Sequence, residues 1–260
     1  MRTIVTLMVP LVFAFTGCGR ATVATQPPAD AEPAKPSEAR PANPADGGER
    51  EKAQNNLKQL GIGMFAHYDN NKFFPGDMYR VDRKTMTAWS WRVLILPYIE
   101  LADLYSQLDT SKAWDDPANL KILEKMGMPK VFELPGRAAP KGHTYFRVFS
   151  LPKNATGKDR PFLVEGETGP YVGGSGGDIT DGLSTTFMIV EAREAVPWYK
   201  PDVLAYDGVL PLPEFGGKAS DTFLVAFADG SVKELRRDKL DEKTLRALIT
   251  RQGGEAVKLP

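Results

Sequence analysis

The chain carries a single cysteine, Cys18, and two histidines, His67 and His143. One cysteine rules out an internal disulfide and any Cys-x-x-Cys metal knuckle, so a folded part must rest on core burial. Neither histidine has a second histidine or a cysteine at ligand spacing, which argues against zinc. Charge of one sign is not in excess either, since Lys+Arg 33 is matched by Asp+Glu 33. That balance leaves no basic field for nucleic acid. Long apolar runs are missing too. The one run near the start, Ile4 to Phe15, is too short to span a bilayer comfortably. No internal repeat of useful length occurs.

What is present begins with the position of that cysteine. Arg2, the apolar run and then Phe15-Thr16-Gly17-Cys18 form a secretory signal rather than an anchor helix. The pattern resembles a bacterial lipoprotein signal. The resemblance implies cleavage after Gly17, diacylglycerol on the Cys18 sulfur and acylation, for example by palmitate, of the new amino terminus. Two or three acyl chains, at roughly 0.8 kcal/mol per buried methylene, hold a protein on a membrane where one chain would release it. Gly19 follows, not the Asp that retains lipoproteins in the inner membrane, and this favours the outer membrane. Residues 1–17 are therefore expected to be a signal peptide. Residues 18–48, rich in Ala and Pro with little to bury, are expected to be a lipidated, disordered tether.

Residues 49–260 suit one domain, with Trp89, Trp91, Trp114 and Trp198 among its apolar groups. Ala53, Leu57, Leu60, Met64 and Tyr68 recur at three- and four-residue spacing, which predicts one amphipathic helix from Glu49 to Asn70. Gly61 and Gly63 weaken that helix and so mark close packing. A second apolar block, Trp89 to Leu108, predicts a helix with Pro97 in its first turn running to about Gln107, preceded by a short extended or helical piece. Beyond Gly142, alternation and β-branching predict strands at Thr144–Leu151, Phe162–Glu165, Thr185–Val190, Phe223–Ala228 and Ser231–Leu235. Asp229-Gly230 predicts a tight two-residue hairpin between the last two. Asp241 caps a final helix, Glu242 to Thr250, ended by Gly253-Gly254. The fold class expected is α+β, with a helical insert and a short closing helix beside a mostly antiparallel sheet.

Several segments occur together in order: Asn55-Asn56-Leu57-Lys58-Gln59-Leu60-Gly61, Phe74-Pro75, Ser90-Trp91-Arg92-Val93-Leu94-Ile95-Leu96-Pro97-Tyr98, Asp178-Ile179-Thr180-Asp181-Gly182, Val196-Pro197-Trp198-Tyr199 and Ala228-Asp229-Gly230-Ser231. Between Glu51 and about Glu255 the chain resembles the large planctomycete family known as domain of unknown function 1559. The resemblance implies a pilin-like domain, in which one N-terminal helix packs on the sheet. Relatives usually begin with a prepilin signal whose hydrophobic helix runs straight into the Asn-Asn-Leu-Lys-Gln-Leu helix. Here a lipid anchor and spacer stand in its place, so stacking into a pilin-type fibre is not expected. The family's pilin-like members also have a His separated by nine residues from Asp-Gly. Ala219 occupies that position here.

Gly173-Gly174-Ser175-Gly176-Gly177 matches Gly-x-Ser-x-Gly, but turn chemistry follows it where a nucleophile elbow needs a helix. Asp178 and Asp181 in one tight turn could hold calcium through carboxylate and carbonyl oxygens; alternatively both accept backbone N–H groups. Glu165, Glu167 and Glu191 read as surface charge rather than as an acid and base pair. Trp198 and Tyr199 are candidate ligand contacts, or else a loop clamped to the sheet. The expectation is a non-enzymatic cell-envelope lipoprotein, periplasmic or outer-membrane. It would be held to the membrane by its lipid and would serve a structural or interaction role toward an envelope protein or glycan. It would need no cofactor, calcium being the one candidate. The alternative is a periplasmic solute- or glycan-binding module, and a hydrolase comes third.

Overall fold

A computed structural model describes residues 44–76, 78–80, 86–152, 161, 179–217, 221–255, 257 and 259. The signal segment, Cys18, the proline-rich stretch up to residue 43, the strand expected at Phe162–Glu165, the Gly173–Gly177 loop, Asp178 and Ala219 lie outside the described residues.

The first helix, α1 (Pro44–Asn71), opens with proline, whose missing N–H matters least in a first turn. A side chain at Gly47 or Gly48 would meet nothing within 4 Å, so α1 stands clear of its neighbours at these two positions. Further along, the expected stripe is buried: Ala53, Leu57, Leu60 and Met64 are all fully covered.

The helix lies on a four-stranded antiparallel sheet of β3 (His143–Arg147), β5 (Phe187–Pro197), β7 (Thr222–Phe227) and β8 (Val232–Arg236), in the order β3-β5-β7-β8. A short hairpin, β1 (Met78–Arg80) with β2 (Met86–Ala88), and a parallel pair, β4 (Phe149–Ser150) with β6 (Leu204–Ala205), stand apart from it. Strand β7 is apolar almost throughout because both of its faces are covered. Leu224 and Ala226 join α1, Trp89, Trp91, Phe146 and Met188 in one core. Phe223, Val225 and Phe227 join Phe149, Tyr206, Phe215 and the last helix in the other. A pleat that turns alternate residues to opposite faces thus lets five consecutive residues serve two cores. The edge strand β8 is charged and mostly exposed, as edges that must resist pairing usually are.

The last helix, α5 (Glu242–Ile249), is capped as expected: the Asp241 carboxylate accepts from the Thr244 N–H at 2.6 Å. It lays Leu245, Leu248 and Ile249 against the second core.

Four expectations are corrected. The block after Trp89 is three short turns, where a short piece and then one helix running from Pro97 to about Gln107 were expected. The turns are α2 (Trp91–Leu94), a 3-10 turn at Leu96–Tyr98 that contains Pro97, and α3 (Ala102–Tyr105). Glu100, at φ 64°, breaks the run between the last two. A further helix, α4 (Pro117–Met126), was not anticipated although its boundary signals are plain: Asp116 accepts from Ala118 N–H at 3.0 Å, Pro117 stands first, and Gly127 ends it at φ 71°. Its apolar pattern is interrupted by buried Asn119, which bonds the Asp109 N–H and the Asp109 and Ala113 carbonyls. The expected strand Thr144–Leu151 is split into β3 and β4, with an irregularity between Thr144 and Phe146.

The hairpin between β7 and β8 is also looser than a two-residue turn. Gly230 N–H bonds Phe227 O and Phe227 N–H bonds Ser231 O, so three residues form the loop. Gly230 alone takes positive φ, at 82°, while the Asp229 carboxylate accepts from Ser231 N–H at 2.8 Å. A type I turn followed by a left-handed glycine accounts for this geometry.

Gly61 and Gly63 are close-packing sites, but to different degrees. A methyl group on Gly63 would sit 2.7 Å from Ile99 Cγ2, whereas one on Gly61 would meet the mobile end of Met188 at 3.4 Å. Gly61→Ala should stabilise the protein by up to about 1 kcal/mol through helix propensity. Gly63→Ala should destabilise it by about 1–2 kcal/mol, because overpacking outweighs the same gain. Urea midpoints moving in the same direction for both variants would refute the distinction.

Candidate functional site

A buried polar cluster centres on Glu191 of β5. This residue was expected on the surface, but its side chain is 3% exposed. Its Oε2 accepts from Arg50 Nη1 at 2.9 Å and from the buried Leu224 N–H at 3.0 Å, and its Oε1 accepts from Arg137 Nη1 at 3.1 Å. Arg137 also donates to the Ala192 and Arg193 carbonyls and stacks 3.6 Å from the Tyr145 ring centre. Arg50 reaches Glu234 on β8 at 2.9 Å. One carboxylate therefore ties α1, the segment before β3, β5 and β7 together. With three donors on its two oxygens, it is a strut and not a general base.

A second buried charge, Arg92, is fully covered. Its Nε and Nη2 both donate to Phe146 O, at 3.0 and 2.9 Å, and Nη1 donates to Ser90 Oγ at 3.0 Å. Ser90 in turn accepts from the Arg92 backbone N–H and so caps α2.

The aromatic pair foreseen as a ligand contact divides. Trp198 is 1% exposed and stacks on Phe132 at 5.6 Å, which places it in the core. Tyr199 is half-buried beside Trp114, with ring centres 5.8 Å apart. Burial, and then the negative charge of Glu124, raise the Tyr199 hydroxyl above the usual tyrosine range.

Asp181 is engaged by backbone. Its Oδ2 accepts from Gly253 N–H at 2.7 Å and its Oδ1 from Gly254 N–H at 2.8 Å, while Thr180 N–H bonds Arg251 O. This carboxylate clasps the segment after α5, a distant partner, where backbone N–H groups of the neighbouring turns were the plainer expectation. Among the described residues no group of three or more His, Cys, Asp or Glu is placed to hold a metal ion.

An open cavity of about 350 Å³ lies against α5, lined by Tyr206, Glu242, Lys243, Arg246, Thr250 and Glu255. Arg246 forms its wall: Nε and Nη2 hold Glu242 Oε1 at 2.9 and 2.7 Å, and the guanidinium lies 5.8 Å from the Tyr206 ring centre. No helix among the described residues is long and apolar enough to cross a membrane.

Comparison with protein families gives a match over residues 49–209 to the family described as protein of unknown function DUF1559 (SBP_bac_10). The chain belongs to this family. No curated protein and no solved structure matches it. The matched region of this DUF1559 protein spans α1, the insert, β3 and β5, and so includes Arg50, Arg92, Arg137 and Glu191. The β7–β8 hairpin and α5, with every residue of the α5 cavity except Tyr206, lie beyond its end.

His67 of the DUF1559 domain was read only as a non-ligand. It is 3% exposed, with Nδ1 3.0 Å from Phe73 O and the Phe73 and Tyr98 rings at 5.4 and 5.6 Å. Burial lowers its pKa below the usual 6.5, and the bond to Phe73 O opposes that only in part. The unfolded chain therefore binds the proton more readily than the folded one. This contribution to stability is complete above pH 6.5 and is lost as pH falls from there through the folded value. The urea midpoint of the wild type should drop between pH 7.5 and 5, and His67→Gln should flatten that slope. An equal slope in the variant would exclude His67 as its source.

Proposed function

We propose that this DUF1559 protein is a non-enzymatic lipoprotein of the cell envelope, a pilin-like domain held on a Cys18 lipid anchor through a proline-rich spacer and serving a structural or interaction role. The observation that carries the reading is the place of the lone cysteine directly after the apolar run and Thr16-Gly17. The layout of the folded part supports it. A long N-terminal helix laid by one apolar stripe on an antiparallel sheet is the arrangement expected of a pilin's globular half, and the most buried charges, Glu191 and Arg92, are consumed by holding that layout together.

Radiolabelled palmitate should enter the wild type and not Cys18→Ser, and only the wild type should partition into detergent. Recovery of an unlabelled chain that retains residues 1–17 would refute the lipid anchor. A second reading, a solute- or glycan-binding module, is favoured by the cavity beside α5, whose mixed charges and Tyr206 floor suit a polar ligand better than the buried Trp198 does.

A further inference from the structure

Beside the Glu191 cluster, the segment Glu214-Phe215 runs antiparallel to β5, where Phe215 pairs with Ala192 through an isolated bridge and Arg193 N–H bonds Glu214 O at 3.2 Å. Two guanidinium groups meet this segment. Arg193 Nη1 contacts Glu214 Oε1 at 3.3 Å, and Arg237, in the turn after β8, lies 4.7 Å over the Phe215 ring centre. Each has an N–H group that is buried without a hydrogen-bond partner: Arg193 Nε and Arg237 Nη1. A buried N–H on a charged group is among the costlier atoms to leave unsatisfied, and two together on one aromatic flank ask for a shared acceptor.

The resident carboxylates do not supply it. Glu214 is 71% exposed and meets Arg193 through Nη1, not Nε, while Glu242 is held by two nitrogens of Arg246; both carboxylates act on Arg237 through their charge without bonding its Nη1. Burial lowers the Arg237 pKa first of all; the Glu242 and Glu214 charges oppose that and the Arg193 charge adds to it, which places the two cations within reach of one another.

We propose that Arg193 and Arg237, flanking Phe215, form a binding site for a phosphate-type oxyanion. A tetrahedral anion directs its oxygens toward donors on separate elements, whereas a planar carboxylate is matched by a single guanidinium fork. A free phosphate and the phosphate of a lipid headgroup present the same chemistry to such a site. The site does not depend on the lipid anchor.

The test titrates the full-length Cys18→Ser chain at constant ionic strength, by calorimetry and by thermal unfolding. The probes are inorganic phosphate, glycerophosphoglycerol as a deacylated headgroup, and acetate. Phosphate should bind and raise the melting temperature. Arg193→Gln and Arg237→Gln should each weaken binding about tenfold, and Arg236→Gln, whose side chain is exposed and paired with Asp238, should not. Glu214→Gln should tighten binding, a gain that an unfolded variant cannot mimic. Binding of glycerophosphoglycerol as well as phosphate points to a headgroup, and binding of phosphate alone to a free anion or monoester. Absence of phosphate binding, acetate binding equally well, or full affinity in Arg237→Gln overturns the proposal.

Discussion

Glu191→Ala should destabilise the domain by about 3 kcal/mol, the lower end of what breaking a buried ion pair costs. The lower end applies because Arg50 and Arg137 are 24% and 19% exposed and recover part of their hydration once the carboxylate is gone. The Leu224 N–H recovers none, since it lies in the middle of β7 on the buried face toward α1, and it adds the desolvation cost of an orphaned donor. For a domain of this size each kcal/mol moves the melting temperature by about 2–4 °C, so a fall of about 6–12 °C is expected. Glu191→Gln keeps an acceptor for Leu224 and should cost about half as much. Glu234→Gln breaks only the outer bridge of Arg50, at a carboxylate that is 34% exposed, and should cost less than about 1 kcal/mol. If Glu191→Ala and Glu234→Gln were equally mild, Glu191 would not be the strut described.

That cluster also shows where reading the sequence stops. The apolar stripe of α1 was legible because helical spacing needs no partner to be seen, and the same holds for the α5 cap and for the strands β7 and β8. Glu191 was misread because a carboxylate at the end of a hydrophobic run carries no mark of burial. Its partners Arg50 and Arg137 are distant in sequence, and only the fold brings them to it. Helix α4 was missed for a related reason: Asn119 occupies the inward position where an apolar residue would have completed the pattern. Pro97 suggested a helix start, which it would be if Glu100 did not take a left-handed conformation three residues later. Of the two aromatics foreseen at a ligand site, Trp198 was a core residue all along, and a stacked Phe132 has no sequence signature. The Arg193 and Arg237 pair could not be found from the chain, because it depends on how the ends of β5 and β8 converge on Phe215.

Arg92→Lys should destabilise the domain by about 2–3 kcal/mol, and more than Arg92→Met, although lysine keeps the charge. The guanidinium is fully buried and spans three places at once: two nitrogens on Phe146 O in β3, a third on Ser90 Oγ at the α2 cap, and the same third nitrogen 3.4 Å from Lys200 O beyond β5. Its plane also lies 5.0 Å from the Trp91 ring centre. A lysine ammonium is a point donor on a flexible stem. It can satisfy one of these acceptors, but it brings a more strongly hydrated charge to a depth where hydration is lost. Methionine brings no charge, fills much of the same volume and leaves only carbonyl and hydroxyl acceptors short of a donor, for about 1–2 kcal/mol. The ranking, measured by chemical denaturation, separates two explanations for an arginine in the Ser90-Trp91-Arg92 segment. If the charge itself matters, lysine is the better substitute. If the planar fork matters, lysine is the worse one, and the geometry around Phe146 O requires the fork.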